Sequence, residues 1–126
     1  MTMAQFEVRA HLKVRAGQLE GFKRQAAEMM RLARENDTGT LAYDWFLSSD
    51  GTECEVREAY VHPDALVQHA MNVRDARTVM FAEYAEDHRM AFYGEPSPAL
   101  AALVERLGVP VAYFTLLQAL EPAPVG

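Results

Sequence analysis

From Phe6 to Val14, the apolar residues Phe6, Val8, Ala10, Leu12 and Val14 alternate with Glu7, Arg9, His11 and Lys13. A period of two predicts a β-strand with two unlike faces. Ala16 and Gly17 break that rhythm, and Leu19, Phe22, Ala26, Met29, Met30 and Ala33 then recur three and four residues apart, the apolar stripe of a helix. Asn36, Asp37, Thr38 and Gly39 are helix-stopping, turn-forming residues. Leu41, Tyr43, Trp45 and Leu47 next alternate with Ala42, Asp44, Phe46 and Ser48; Ser49, Asp50 and Gly51 make a turn, and Cys54, Val56, Glu58 and Tyr60 return as the second strand of a hairpin. Pro63 suits a first helical position, and the looser pattern Ala65, Leu66, Ala70, Val73, Met80 and Tyr84 predicts a second long helix with a bend near Asn72. His88 to Tyr93 reads as a short strand with Met90 and Phe92 on one face, closed by Gly94 and Pro96. Ser97 and Pro98 open a third, short helix of Leu100, Leu103, Val104 and Leu107, which Gly108 and Pro110 end. Val111 to Leu120 reads as a last strand before a Pro-rich tail from Glu121.

This order predicts an α+β fold: a ferredoxin-like βαββαβ antiparallel sheet with both long helices on one face. The whole chain, 1–126, reads as a single domain, with a core of about 5–94 and a C-terminal helix–strand extension of about 97–120. Neither face of the sheet is wholly polar, since Leu41, Tyr43, Trp45 and Leu47 oppose Ala42 and Phe46. A second copy is the simplest cover for the bare face, so the pattern predicts a homodimer whose two sheets form a barrel, with the apolar last strand reaching across to the partner.

Composition narrows the functional classes. With 126 residues, half of them apolar, the chain can build one core. A net charge of −6 removes the attraction that drives binding to nucleic acids and anionic membranes. No apolar run approaches the roughly 20 residues of a spanning helix. Cys54 stands alone, and the opening segment lacks a basic head followed by an apolar stretch, so the expectation is a cytoplasmic protein.

Three stretches, FEVRAHLKVRAGQLEGF, ARENDTGTLAYDWFLSSDG and REAYVHPDALVQH, carry a spaced pattern. It runs from a strand and a Gly-led helix through a GTLxY strand, an Asp-Gly hairpin and a Glu-x-Tyr to a His early in the second helix. From Phe6 to His69 the chain resembles the antibiotic biosynthesis monooxygenase family of dimeric α+β barrels. The resemblance implies an enzyme that oxidises a small aromatic phenol or quinol with molecular oxygen, with no metal or flavin because the substrate supplies the electrons. Haem-degrading relatives of this fold use an Asn on the first strand, where this chain offers Arg9, His11 and Lys13.

In the family pattern the His after the Glu-x-Tyr strand is His69, a candidate base for a phenolic proton. His11 and Arg9 lie on the face of the first strand opposite its apolar row, where they would point into a barrel or be solvated and paired; Arg9 is the candidate stabiliser of the substrate anion. Trp45, Tyr43, Phe46 and Phe92 are candidates to stack on an aromatic ligand, or are core. Glu58 is a carboxylate in an apolar row, to be paired with Arg9 or Arg57 or else protonated. His11, His62, His69 and His88 are scattered without metal-ligand spacing. An isomerase or lyase using the same proton-transfer groups, and a non-catalytic binding or structural dimer, are the alternative functions.

Overall fold

The computed structural model describes residues 6–120; the Pro-rich tail from Glu121 lies outside them. Strands β1 (Phe6–Val14), β2 (Thr40–Leu47), β3 (Glu53–Tyr60), β4 (Ala85–Tyr93) and β5 (Val111–Phe114) form one sheet in the order β2-β3-β1-β4-β5. Helices α1 (Leu19–Asn36), α2 (Pro63–Asn72), α3 (Arg74–Val79) and α4 (Pro98–Leu107) accompany it, with a π-helical turn at Met80–Tyr84 between α3 and β4. The fold is α+β and ferredoxin-like. Two features complete the description. The sheet is mixed, because β5 runs parallel to β4, and within one chain it is open, its edges β2 and β5 unjoined.

The alternation in β1 sets the two faces. Phe6, Val8, Ala10, Leu12 and Val14 are buried under the helices, and Glu7, Arg9 and Lys13 are exposed on the other side. Antiparallel pairing extends this partition to β3, whose Cys54, Val56, Glu58 and Tyr60 are buried. Helix α1 seats Phe22, Ala26, Met29 and Ala33 on the sheet, the stripe read from its spacing. At Gly21 a methyl group would collide with the Tyr84 ring, so this helix packs closest where it has no side chain.

The second long helix breaks where its pattern loosens. Its first part ends at Asn72, Val73 leaves helical geometry (φ −103°, ψ 8°), and α3 resumes at Arg74. Strand β4 begins three residues before the expected start because Ala85 and Glu86 pair with Val14 and Lys13 of β1. Glu86 lies opposite Lys13 and Arg89 opposite His11, so Asp87 and His88 together face Leu12 in a β-bulge, with Asp87 at φ 55°.

The extension starts as its residues dictate. Ser97 Oγ accepts the Leu100 N–H at 3.2 Å, Pro98 follows, and Gly108 ends α4 at φ 67°. Leu100 joins Phe6, Val8, Tyr60, Leu66 and Phe92 in a second core cluster beside the main one. The last strand is four residues long rather than ten. Its partner β4 ends at Tyr93, Gly94 closes the pairing with a 2.9 Å bond to the Phe114 carbonyl, and beyond that point no strand edge remains to pair with. Leu116, Leu117 and Leu120 are in consequence exposed, at 78%, 99% and 96%.

Candidate functional site

Between the covered face of the sheet and helices α2, α3 and α4 lies a cavity of about 80 Å³, room for several waters or part of a small ligand. Its wall is apolar over most of its extent, and α4 supplies Leu100, Leu103, Val104 and Leu107 to it. The C-terminal extension therefore closes the space that the core alone would leave open. Five titratable groups interrupt the apolar wall: Tyr43, Glu58, His69, Arg77 and His88.

His69 is the best-held of them. Its ring stands 2.7 Å from Asp37 through Nδ1, and the two side chains are only 5% and 2% exposed. Asp37 also accepts from the Thr40 hydroxyl at 2.7 Å and from the Asn72 amide at 2.8 Å, so three donors converge on one carboxyl group. With Nδ1–H directed to Asp37, Nε2 is left as the basic nitrogen, the division of labour in which a carboxylate orients an imidazole base. Tyr43 packs edge-on against the same ring, with centroids 4.4 Å apart and planes at 73°, and Tyr60 lies 5.8 Å away.

Glu58 faces this group because period two places it with Val56 and Tyr60. It accepts a hydrogen bond from the Tyr60 hydroxyl. No cation pairs with it among the described residues; Arg57, next in the strand, points to the opposite face, and Arg9 is engaged elsewhere. Burial raises the Glu58 carboxyl above the usual carboxylate range, with His69 and the Tyr60 hydroxyl opposing the shift. Burial and the Glu58 carboxylate likewise push the Tyr43 and Tyr60 phenols well above their ordinary value. These are proton-holding groups set beside a basic nitrogen.

The remaining candidates divide by face. Trp45 and Phe92 line the cavity with Tyr43, Glu58 and His69. Arg9 and His11 lie across the sheet from it. Arg9 makes a 3.1 Å ion pair with Glu55, and His11 is bracketed by Glu55 at 2.6 Å and Glu53 at 3.0 Å, so both imidazole nitrogens are taken. Phe46 is on that side too, 55% exposed. Within one chain, then, the structure does not bring Arg9, His11 or Phe46 to His69, because an odd number of residues along a strand changes face. Cys54 is buried, with its thiol pushed up to about 11 by desolvation, and no group of three or more metal-ligating side chains gathers among the described residues. Asp37, Asn72, Arg77 and His88 were not singled out by sequence. Asp37 and Asn72 carried only the signals of a helix stop and a bend, and nothing local marks two turn residues 35 positions apart as neighbours.

The fold has close counterparts among solved structures. MupZ from Pseudomonas fluorescens superposes with a TM-score of 0.76 at 23% identity, covering 96% of this chain and 97% of that one. The putative antibiotic biosynthesis monooxygenase from Nitrosomonas europaea gives 0.62 at 20% identity, over 78% of this chain and 97% of its own. A second protein so described, from Caulobacter crescentus, gives 0.65 at 21%, over 76% and 93%. The likeness to MupZ thus takes in nearly the whole chain, whereas the other two leave about a fifth or more of it unmatched. No protein-family model and no curated protein sequence matches the chain. The chain has the fold of the antibiotic biosynthesis monooxygenase group.

Proposed function

We propose that this protein is an enzyme that takes a proton from a small aromatic phenol or quinol and lets molecular oxygen oxidise the resulting anion. The observation that carries this reading is the buried Asp37–His69 pair on the wall of an apolar cavity. A base must be held in one orientation and shielded from water to act on a weak acid, and this one is. His69 Nε2 accepts the phenolic proton, Asp37 holds the imidazole, and Tyr43, Trp45 and Phe92 offer aromatic surface to the ring. The deprotonated substrate gives electrons to oxygen; a ring C–H becomes a carbonyl carrying one oxygen atom, the other oxygen leaves as water, and the substrate ends four electrons more oxidised (phenol + O2 → quinone + H2O). The monooxygenase part of the reading draws on the fold shared with the Nitrosomonas and Caulobacter proteins.

A second reading, an isomerase or lyase that moves a proton without oxygen, draws on Glu58. A carboxyl whose hold on its proton burial strengthens, sharing one small cavity with a base, is the pairing that takes a proton at one atom and returns it at another. Oxygen uptake with a panel of naphthols and hydroquinones separates the two. Uptake matched to quinone formation, lost in His69→Ala, supports the first. Deuterium incorporation from solvent without uptake supports the second, and binding with neither leaves a ligand-binding protein.

The same reading includes a homodimer. Phe46, Tyr93 and Phe114 stand 42–55% exposed on the open face among Arg9, His11 and Glu55, and a second sheet laid there would cover them and complete a barrel. Light scattering at micromolar concentration should give a mass of two chains; a monomer overturns this part.

A further inference from the structure

We infer that the cavity receives a ligand bearing its own carboxylate, held by the Arg77 guanidinium with the Trp45 and His88 ring nitrogens around it. This rests on the cavity being the substrate site and names the class of substrate: an acid with a compact apolar body. The argument is a count of donors against acceptors. Arg77 reaches the cavity wall from α3 and spends one N–H on the Ala70 carbonyl at 3.0 Å. It has no acidic partner among the described residues, in a chain that carries a net charge of −6. A half-buried cation left without a counter-ion is a costly arrangement unless something brings the missing charge. Burial is also the first cause lowering its pKa, which says that water does not fully replace that partner.

Two more donors face the same space. The Trp45 indole nitrogen is buried with no partner meeting full hydrogen-bond criteria among the described residues, and the Tyr43 phenol lies beside it. Few native structures leave such a group unpaired without a reason. His88 is turned inward by the β4 bulge, where left-handed Asp87 inserts one extra residue so that Ala85 and His88, three apart, both sit on the covered side. Its ring stacks on Phe81 at 4.7 Å and 20°. Burial and the Arg77 charge hold it down to about 4, so at neutral pH it is an uncharged ring with one N–H to give. Against these stand the Glu58 carboxyl, which accepts from Tyr60 and whose hold on a proton burial strengthens, and the one unspent nitrogen of His69. An Arg77 cation with no acid beside it, next to further unspent N–H groups, fits a ligand rich in acceptors, and the missing counter-charge makes that ligand an anion.

Trp45 is the only tryptophan, so its fluorescence reports binding directly. The probes are benzoate and cyclohexanecarboxylate against benzamide and cyclohexanecarboxamide, titrated into the full chain at pH 7. The expected result is tighter binding of the acids by about tenfold or more. Arg77→Gln should erase the preference while Arg77→Lys keeps part of it, with circular dichroism confirming that α2, whose end Arg77 caps, persists. Equal affinities, a preference surviving Arg77→Gln, or no binding of any probe at millimolar concentration would overturn the assignment. Should Arg77→Gln unfold, the acid-against-amide comparison on the unaltered chain decides alone. Turnover of neutral phenols without acid selectivity would remove this inference and leave the oxidation reading intact. Acid selectivity with no turnover would do the reverse.

Discussion

His69 and His11 each meet a carboxylate at close range, 2.7 Å to Asp37 and 2.6 Å to Glu55. Their surroundings nevertheless assign them different work. On the covered face both members of the pair are almost fully buried, Asp37 is fixed by Thr40 and Asn72, and one imidazole nitrogen remains for a ligand. On the open face Glu55 is 35% exposed, Glu53 takes the second nitrogen, and solvent screens the pair. The lesson is that a His–carboxylate contact is not in itself a site. What distinguishes the first is low dielectric, a pinned carboxylate and an unspent nitrogen next to a cavity.

The largest effect should come from cutting the buried pair. His69→Ala is expected to lower turnover by roughly 10²–10⁴-fold, the usual contribution of a positioned general base, with the far-ultraviolet spectrum unchanged. His11→Ala should leave turnover within about twofold of the original, by the same reasoning. A reversed ranking in kcat breaks the comparison outright. Asp37→Ala removes the acceptor for three donors at once and leaves them buried, a loss of about 2–4 kcal/mol in urea unfolding. Asp37→Asn keeps the shape and should cost less stability than the alanine, while its effect on turnover stays large because the amide presents the imidazole with the wrong tautomer.

The acid side of the stability curve tests a second buried ring. His88 is held near 4 in the folded chain, against 6.5 when unfolded. The unfolded chain therefore binds the extra proton first, and stability is complete above about pH 6.5, falls as pH drops through that value and levels off below 4. The loss over this window is about 3 kcal/mol for the shift given, and it should disappear from the profile of His88→Gln. Glu58 has the opposite sign. Its folded value is raised, so ionisation of the unfolded chain draws stability away as pH rises above the ordinary carboxylate range. Glu58→Gln should thus be more stable than the original at pH 7 and indistinguishable from it near pH 4, by thermal melting, while losing activity if proton return to the substrate passes through that oxygen.

How much of this was legible in the sequence follows from periodicity. Period two in β1, β2 and β3 set Glu58, Tyr43 and Trp45 on one face and Arg9 and Phe46 on the other, and the fold class follows from the order of such elements. The faces follow that alternation, and by the same rule Phe46 and Arg9, candidates for the same site as Trp45 and His69, lie across the sheet from them within one chain. Asp37 was legible only as the end of α1, since a turn residue's side-chain direction obeys no period and its partner lies 32 residues away. His88 shares parity with Met90 and Phe92, yet no sequence signal says that α3 would bring a cation beside it. The final strand was read too long because Val111 to Leu120 is apolar throughout, and hydrophobicity does not reveal where the neighbouring strand stops.

The smallest expected effect concerns the open face, and it sharpens the comparison from the other side. Arg9→Ala breaks an ion pair whose members are 47% and 35% exposed, so a single chain should lose no more than about 1 kcal/mol. A twin sheet covering this face would change that arithmetic. Water would leave the Arg9–Glu55 pair and the His11 bracket, screening would fall, and removing one partner would strand a buried charge. The cost would then exceed that limit and grow with protein concentration, because the lost contact would belong to the dimer rather than to the chain. Unfolding midpoints for Arg9→Ala at two concentrations about a hundredfold apart decide it: a small, constant difference describes a solvated face, and a large, concentration-dependent one describes a shared interior where the two histidine environments are less unlike than they look in a single chain.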